Sequence, residues 1–286
     1  MAAGARIRVM ERSEVDLAID WAAREGWNPG LADAAAFHAA DPEGFLISED
    51  EDGTPVACLS AVRQGDALGF VGFYVVVPER RGQGHGIAIW RAGMKRLAGR
   101  LIGLDGVPDQ QPAYRRSGFA LAWRNRRYGA AAPRPIAAGD GAAEVVAADA
   151  LPFADVVAYD AATTAGPREA FLGAWLTLPG HDALVAVRDG APAGLGVVRP
   201  CREGSKIGPL FADDEPTARA LFAALASRAS PRGPLFLDVP EPNAAAAAIA
   251  REAGMEPAFE TARMYTGRPP AIPVQRVFGV TSFELG

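Results

Sequence analysis

Apolar positions along this chain fall into runs of two kinds. Phe70 to Val77 is an unbroken apolar stretch rich in β-branched and aromatic residues, closed by Pro78, which has no N–H for a ladder, and it predicts a buried strand. From Ile87 the apolar residues Ile87, Trp90, Met94 and Leu97 recur at steps of three and four, which predicts a helix starting at the last glycines of Gly82-Gln83-Gly84-His85-Gly86. A strand, a glycine turn and a helix in this order make an anion site. The free N–H groups and positive dipole end of the first helical turn point into a loop that glycine leaves open to a phosphate.

The remaining pattern is read in order. Arg6 to Met10 predicts a strand, and Ser13 caps a helix to about Arg24 with Val15, Leu17, Ala18 and Trp21 inward; Glu25-Gly26-Trp27-Asn28-Pro29-Gly30 breaks it before a second helix at 31–39. Phe45 to Ser48 and Val56 to Val62 form a hairpin about Asp52-Gly53. Beyond the long helix come a strand at Leu101 to Asp105, a short helix at 109–116 and a strand at Phe119 to Tyr128. Residues 129–142, GAAAPRPIAAGDGA, offer little to pack and read as a linker. The second half repeats the outline. It has a strand at Glu144 to Ala147, helical periodicity over 151–178, a hairpin about Asp189-Gly190, then Lys206 to Phe211, Thr217 to Arg228, Leu235 to Val239 and Asn243 to Ala253. Gly254-Met255 through Tyr265 matches Gly118-Phe119 through Tyr128 in spacing. The tail Val277 to Leu285 predicts a strand that either ends the second domain or is swapped into the first.

Composition narrows the class. With 286 residues and 49% apolar content, the chain suits two domains, expected at 1–130 and 143–286 with 131–142 between them. No apolar run nears the length of about 18 to 20 residues that spans a bilayer, and charges occupy the N-terminus where a signal peptide needs its apolar stretch. Net charge of -5 argues against nucleic acid as a partner, and three scattered histidines argue against a zinc site. Cys58 and Cys201 read as reduced core thiols. The expectation is a cytoplasmic enzyme without a metal, a monomer or homodimer.

Three phosphate loops compete for residues 81–86. A P-loop needs Lys and Ser/Thr after its last glycine, where Ile87 and Ala88 stand. A dinucleotide fingerprint gains support from Asp105 after the next strand, but lacks its third small residue. The third pattern is Arg, two free positions, Gly, one free position, then Gly or Ala, which Arg81, Gly84 and Gly86 satisfy. With the strand ending Val-Val-Pro-Glu before it, this stretch resembles the acyl-CoA pyrophosphate loop of the GNAT N-acetyltransferase superfamily. The order of elements in residues 6–128 matches that fold, and Tyr114-Arg115-Arg116-Ser117-Gly118-Phe119 resembles the family segment whose Tyr lies near the coenzyme sulfur. The whole resembles bacterial tandem GNAT proteins with an intact N-terminal and a degenerate C-terminal domain. In mycothiol synthases, also tandem, the C-terminal half is the intact one.

The resemblance implies an α+β fold of two GNAT-like domains, each a mostly antiparallel sheet flanked by helices. It also implies an N-acyltransferase that uses acetyl-CoA, or another acyl-CoA, on a primary amine of a small molecule or peptide. The coenzyme is expected on Phe73, Tyr74, Val75, Val76 and Val77 and on Arg80, Arg81, Gly82, Gln83, Gly84, His85 and Gly86. A backbone N–H at Val75 is the expected oxyanion donor, Tyr114 the general acid, and Glu25, Asp105 or Glu79 the base. Trp27, Asn28 and Tyr74 are expected to line the acceptor pocket. His85 is expected to face solvent, and Arg115, Arg116, Arg124, Arg126 and Arg127 to form a solvated basic face. In the second half, Ala212-Asp213-Asp214-Glu215-Pro216 replaces the phosphate loop and Ala250 replaces Tyr114, so that half is expected to have lost the coenzyme. A non-catalytic acyl-CoA-binding sensor or interaction protein is the alternative reading.

Overall fold

The computed structural model describes residues 6–286. The first half runs β1 (Arg6–Val9), α1 (Val15–Arg24), α2 (Asp33–Ala40), β2 (Phe45–Glu49), β3 (Pro55–Gln64), β4 (Leu68–Val76), α3 (His85–Arg96), β5 (Leu101–Gly106), α4 (Gln111–Arg116) and β6 (Ala120–Ala130). The second runs β7 (Glu144–Ala147), α5 (Phe153–Thr163), α6 (Glu169–Trp175), β8 (Asp182–Arg188), β9 (Ala191–Pro200), β10 (Ser205–Ala212), α7 (Glu215–Ala226), β11 (Leu235–Pro240), α8 (Ala244–Glu252), β12 (Glu256–Tyr265) and β13 (Val277–Gly279). The expected order of elements is present in both halves. No helix among the described residues is long and apolar enough to cross a membrane.

The two halves form one mixed sheet, β1-β2-β3-β4-β5-β12-β6-β11-β10-β9-β8-β7, with β13 beside β10. The pairs β4–β5 and β10–β11 are parallel and the other ladders antiparallel. At the centre the halves trade strands. β12 lies on β5, with Arg263 opposite Asp105, while β6 lies on β11, with Tyr128 opposite Leu237, and β6 and β12 pair with each other. The exchange was not expected from the sequence, which allowed a swap only for the tail.

Packing ties the halves further. Phe37 of α2 stacks on Trp175 and Phe171 of α6, with ring centroids 5.9 and 6.4 Å apart. Asp33 of α2 meets Arg199 of β9 at 3.0 Å in a fully buried pair. Arg127, expected on a solvated face, is buried; its guanidinium clasps Asp238 at 2.6 and 2.8 Å and donates to the Trp27 carbonyl. A bidentate partner and a backbone acceptor satisfy a charge that burial would otherwise make costly. Residues 131–142 also pack more than expected: Ile136 is buried in the second-half core, and the Arg134 amide donates to the Ala253 carbonyl at 2.8 Å.

Only Val277–Gly279 of the tail is strand. It pairs antiparallel with β10 at Leu210 and Phe211, and the Val280 amide reaches the Asp238 carbonyl on β11 at 2.8 Å. The chain then crosses to the first half, where Gln64 Nε2 donates to the Leu285 carbonyl at 2.7 Å and Leu285 joins the core under β4.

Candidate active site

The site begins with a defect in β4. Cys58 faces Val75 and Ser60 faces Gly72, so three steps on β4 oppose two on β3. The extra residue is Phe73, held at φ 47°, a conformation unusual for a side chain this large. Its ring is buried between Phe37 and Phe45 at 5.7 and 6.3 Å. Packing of that ring is what stabilises the strained backbone. β4 pairs with β5 only from Leu68 to Val71, and beyond the bulge the strands part. A cleft of about 670 Å³ opens there. Tyr74, Val75 and Val76 form one wall, the glycine turn the end, and Glu25 and Trp27 the rim.

The turn is shaped as an anion seat. Gly82 and Gly84 sit at φ 74° and 91°, in the left-handed region, and Gly84 is the N-cap of α3. No acceptor among the described residues pairs with the amides of Gly82, Gln83, Gly84, His85 and Gly86. At Gly86 a Cβ would come within 2.9 Å of the Tyr74 hydroxyl, so only glycine leaves the floor bare. Unpaired amides around a bare turn fit the diphosphate of a coenzyme. Arg81 is fixed beside it by the Val76 carbonyl at 2.9 Å and by an ion pair with Glu25, and Arg80 is held on Asp50 at 2.7 Å. Gln83 donates to the Glu79 carbonyl at 2.9 Å, and Val77 donates to Val56. His85, expected in solvent, is buried, and its Nδ1 has no partner among the described residues.

Tyr114 stands on α4, not among the residues that line the cleft, with its ring against Trp90 at 5.6 Å and Phe119 at 6.4 Å. A Cβ at Gly106 would strike that ring at 2.6 Å, which keeps position 106 bare. Burial, with a smaller push from Tyr74, raises the Tyr114 phenol well above its ordinary value, so it holds its proton at neutral pH. Tyr74 packs on Trp90 at 5.4 Å and is raised by burial likewise.

Other expected residues do not come to the cleft. The Asp105 carboxylate is fully buried, held by Arg263 at 2.6 and 2.9 Å and by Asn125 at 2.8 Å. Burial raises its pKa and Arg263 offsets only part of that, while both its oxygens are occupied. Asn28, at φ 51°, spends its amide on the Glu203 backbone, donating at 2.9 Å and accepting at 2.8 Å. It clamps the β9–β10 hairpin and does not line the cleft.

The second half has the same bulge, since Ile207 faces Val198 and Leu210 faces Gly196. Its gap between β10 and β11 is filled by β13. In place of an anion seat, Asp214 caps α7 by accepting from the Thr217 amide at 2.9 Å and pairs with Arg188 at 2.8 Å.

Comparison with known proteins agrees with this geometry. Residues 13–119 match the acetyltransferase (GNAT) family and residues 156–279 match a second acetyltransferase (GNAT) domain. The chain belongs to the GNAT superfamily. This tandem GNAT chain is 29% identical over 267 residues to holothin acyltransferase of Pseudoalteromonas sp. strain SANK 73390, covering 93% of this chain and 90% of that one. A Pyrococcus horikoshii protein assigned as an acetyltransferase has the same fold with a TM-score of 0.82 at 21% identity, over 99% of this chain and 96% of its own. A tandem GNAT protein from the clavulanic acid pathway follows at 0.62 and 17% identity, over 93% and 99%. The tandem GNAT chain is an acyltransferase.

Several wall residues fell outside the expectations from sequence, among them two polar ones from the second half. Glu284 and Thr261 reach the back of β4 from the tail and from β12. A carboxylate inside the apolar run Val277 to Leu285 is the one sequence signal that marks the first of them.

Proposed function

We propose that the chain transfers an acyl group, acetyl in the first instance, from coenzyme A to a primary amine of a small molecule or peptide, at the cleft of its first half. The observation that carries this reading is the meeting of an amide-lined glycine turn with the gap beyond the β4 bulge in one cleft. Similarity over 93% of the chain to a protein named holothin acyltransferase supports acyl transfer as the reaction class.

Bound acyl-CoA supplies an activated thioester carbonyl. The amides of Gly82 to Gly86 hold the diphosphate, and the main chain of Phe73 to Val77 takes the pantetheine arm as an added strand takes a partner. Val75, expected as the oxyanion donor, shares with Val77 the edge of β4 turned to β3, so the Val76 N–H on the parted edge is the donor to the carbonyl oxygen where charge develops. Tyr114, kept protonated by burial, returns a proton to the sulfur. The second half takes no coenzyme, because β13 lies in its gap and Asp214 sits on the α7 N-terminus. One observation favours the non-catalytic alternative: both Glu25 and Asp105 are engaged by arginines.

Calorimetric titration of acetyl-CoA and CoA into wild type and Gly84→Glu tests the proposal. Binding to wild type and its loss in the variant are expected, since the new side chain both strains a φ of 91° and repels the diphosphate. Absence of binding to wild type would overturn the reading. Turnover on a panel of amines then separates the enzyme from the sensor.

A further inference from the structure

A second cavity, of about 30 Å³, lies at the inner end of the cleft. Trp27 and Val107 border both spaces; Gly72 and Phe73 of the bulge face the small one and Tyr74, Val75 and Val76 the large one. The rest of its wall comes from the second half, as Phe259 and Thr261 of β12 and Phe283 and Glu284 of the tail, with the Glu284 carbonyl oxygen set against Gly72. The two cavities therefore adjoin across Trp27 and Val107, where β4 and β5 part.

Both polar side chains of that wall lack a close partner. Thr261 Oγ1 is buried with no hydrogen bond among the described residues. Glu284 is 4% exposed and joins no ion pair within 4.0 Å among the described residues. The charges that face it act from further off: Arg127 of β6, Arg199 of β9 and Lys206 of β10 attract the carboxylate, and Asp33 of α2 repels it. A buried polar group left unpaired costs about 1–3 kcal/mol, and more when charged, so a wall of apolar residues would serve the fold better. A space of this size admits one or two waters or the nitrogen of an amine.

We infer that Glu284 is the general base of the transfer, receiving the proton of the acceptor amine at the inner end of the cleft, directly or through one water held by Thr261. The inference rests on the N-acyl transfer reading above. Glu284 takes up the proton as the nitrogen lone pair forms the C–N bond; the electron pair of the breaking C–S bond leaves on sulfur, where Tyr114 places a proton. Burial raises the Glu284 carboxyl above its ordinary value against the pull of the three cations, which makes its carboxylate a stronger base than an exposed one. The carboxylate is the active form, so turnover rises with pH through this group's pKa. The carboxylate is supplied by the second half, and so the half with the filled gap contributes to the chemistry of the other.

Glu284→Gln in the full chain keeps the volume and removes the proton acceptor. Turnover is expected to fall about 10²- to 10⁴-fold with loss of the acid limb of the kcat/KM profile, while acetyl-CoA affinity by calorimetry stays within about twofold. Glu284→Asp is expected to keep that limb at a reduced rate, which a packing role alone would not predict. Independently of turnover, infrared spectra of the ligand-free wild type across pH should show a protonated carboxyl band that persists above the ordinary Glu range near about 4.3 and is missing from Glu284→Gln. A variant turning over at the wild-type rate, or one that keeps the acid limb, would overturn the assignment, as would absence of the band. Wild type that turns over no amine would instead remove the transfer reading, and this one with it.

Discussion

Burial decides what an ionisable side chain can do. Tyr114 is wedged between Trp90 and Phe119 with its phenol pushed upward, so it is a donor of protons and not an acceptor. Tyr114→Phe should therefore lower turnover by about 10²-fold or more and leave acetyl-CoA affinity within about twofold; equal steady-state rates in the two proteins would remove the donor role. Asp238 answers to its neighbours in another way. Burial pushes its carboxyl up, but Arg127 and Lys206 outweigh burial and hold it below its ordinary value. Its contribution to stability is complete above the unfolded value of about 3.9 and is lost as pH falls through the lower folded value. Asp238→Asn leaves Arg127 and Lys206 facing no carboxylate there, and a loss of about 3–5 kcal/mol is expected in denaturant melts at pH 7. The acid-side fall of stability below about pH 4 should shrink in the variant, and an unchanged acid profile would count against the pair.

Among the elements, β4 carries the most consequence. Its apolar run was legible as a strand, as were the hairpins, the glycine turn and the helix after it, because periodicity and turn residues act locally. The bulge was not legible, since Phe73 sits in an unbroken apolar run and only the register with β3 reveals the extra residue. Nor was the service of Asn28 and Asp105 to the interface, because their partners Glu203 and Arg263 are set by tertiary contacts far along the chain. Beside the bulge, Gly72 is the point where the tail touches: a Cβ there would lie 2.2 Å from the Glu284 carbonyl oxygen. Gly72→Ala is accordingly expected to cost about 1–3 kcal/mol and to speed hydrogen exchange at the amides of 282–286. Wild-type exchange rates in that segment would show that the contact constrains nothing.

For the whole molecule, the decisive fact is the exchange of β6 and β12. The two strands share a spacing to within one residue, Gly118-Phe119 to Tyr128 and Gly254-Met255 to Tyr265, and nothing local tells either one which sheet to enter. Without the second half, the edge of β5 from Gly103 to Gly106 has no partner, and β6 loses both of its neighbours. A chain ending at Ala142 should consequently aggregate or stay molten, with no sharp near-ultraviolet dichroism and no cooperative melt. A cooperative transition at the full-length melting temperature would mean that the first half closes its own sheet.

The same arrangement sets a schedule for biosynthesis. The cleft takes its phosphate seat from residues 82–86 but the back of its wall from Thr261, Phe283 and Glu284. A nascent chain that has released its glycine turn is still missing a strand of its sheet and a wall of its cavity. The ribosome must deliver the codons for Thr261 to Glu284 before either half is finished, so a message cut short ahead of them yields no working fragment, only an open sheet for the cell to clear.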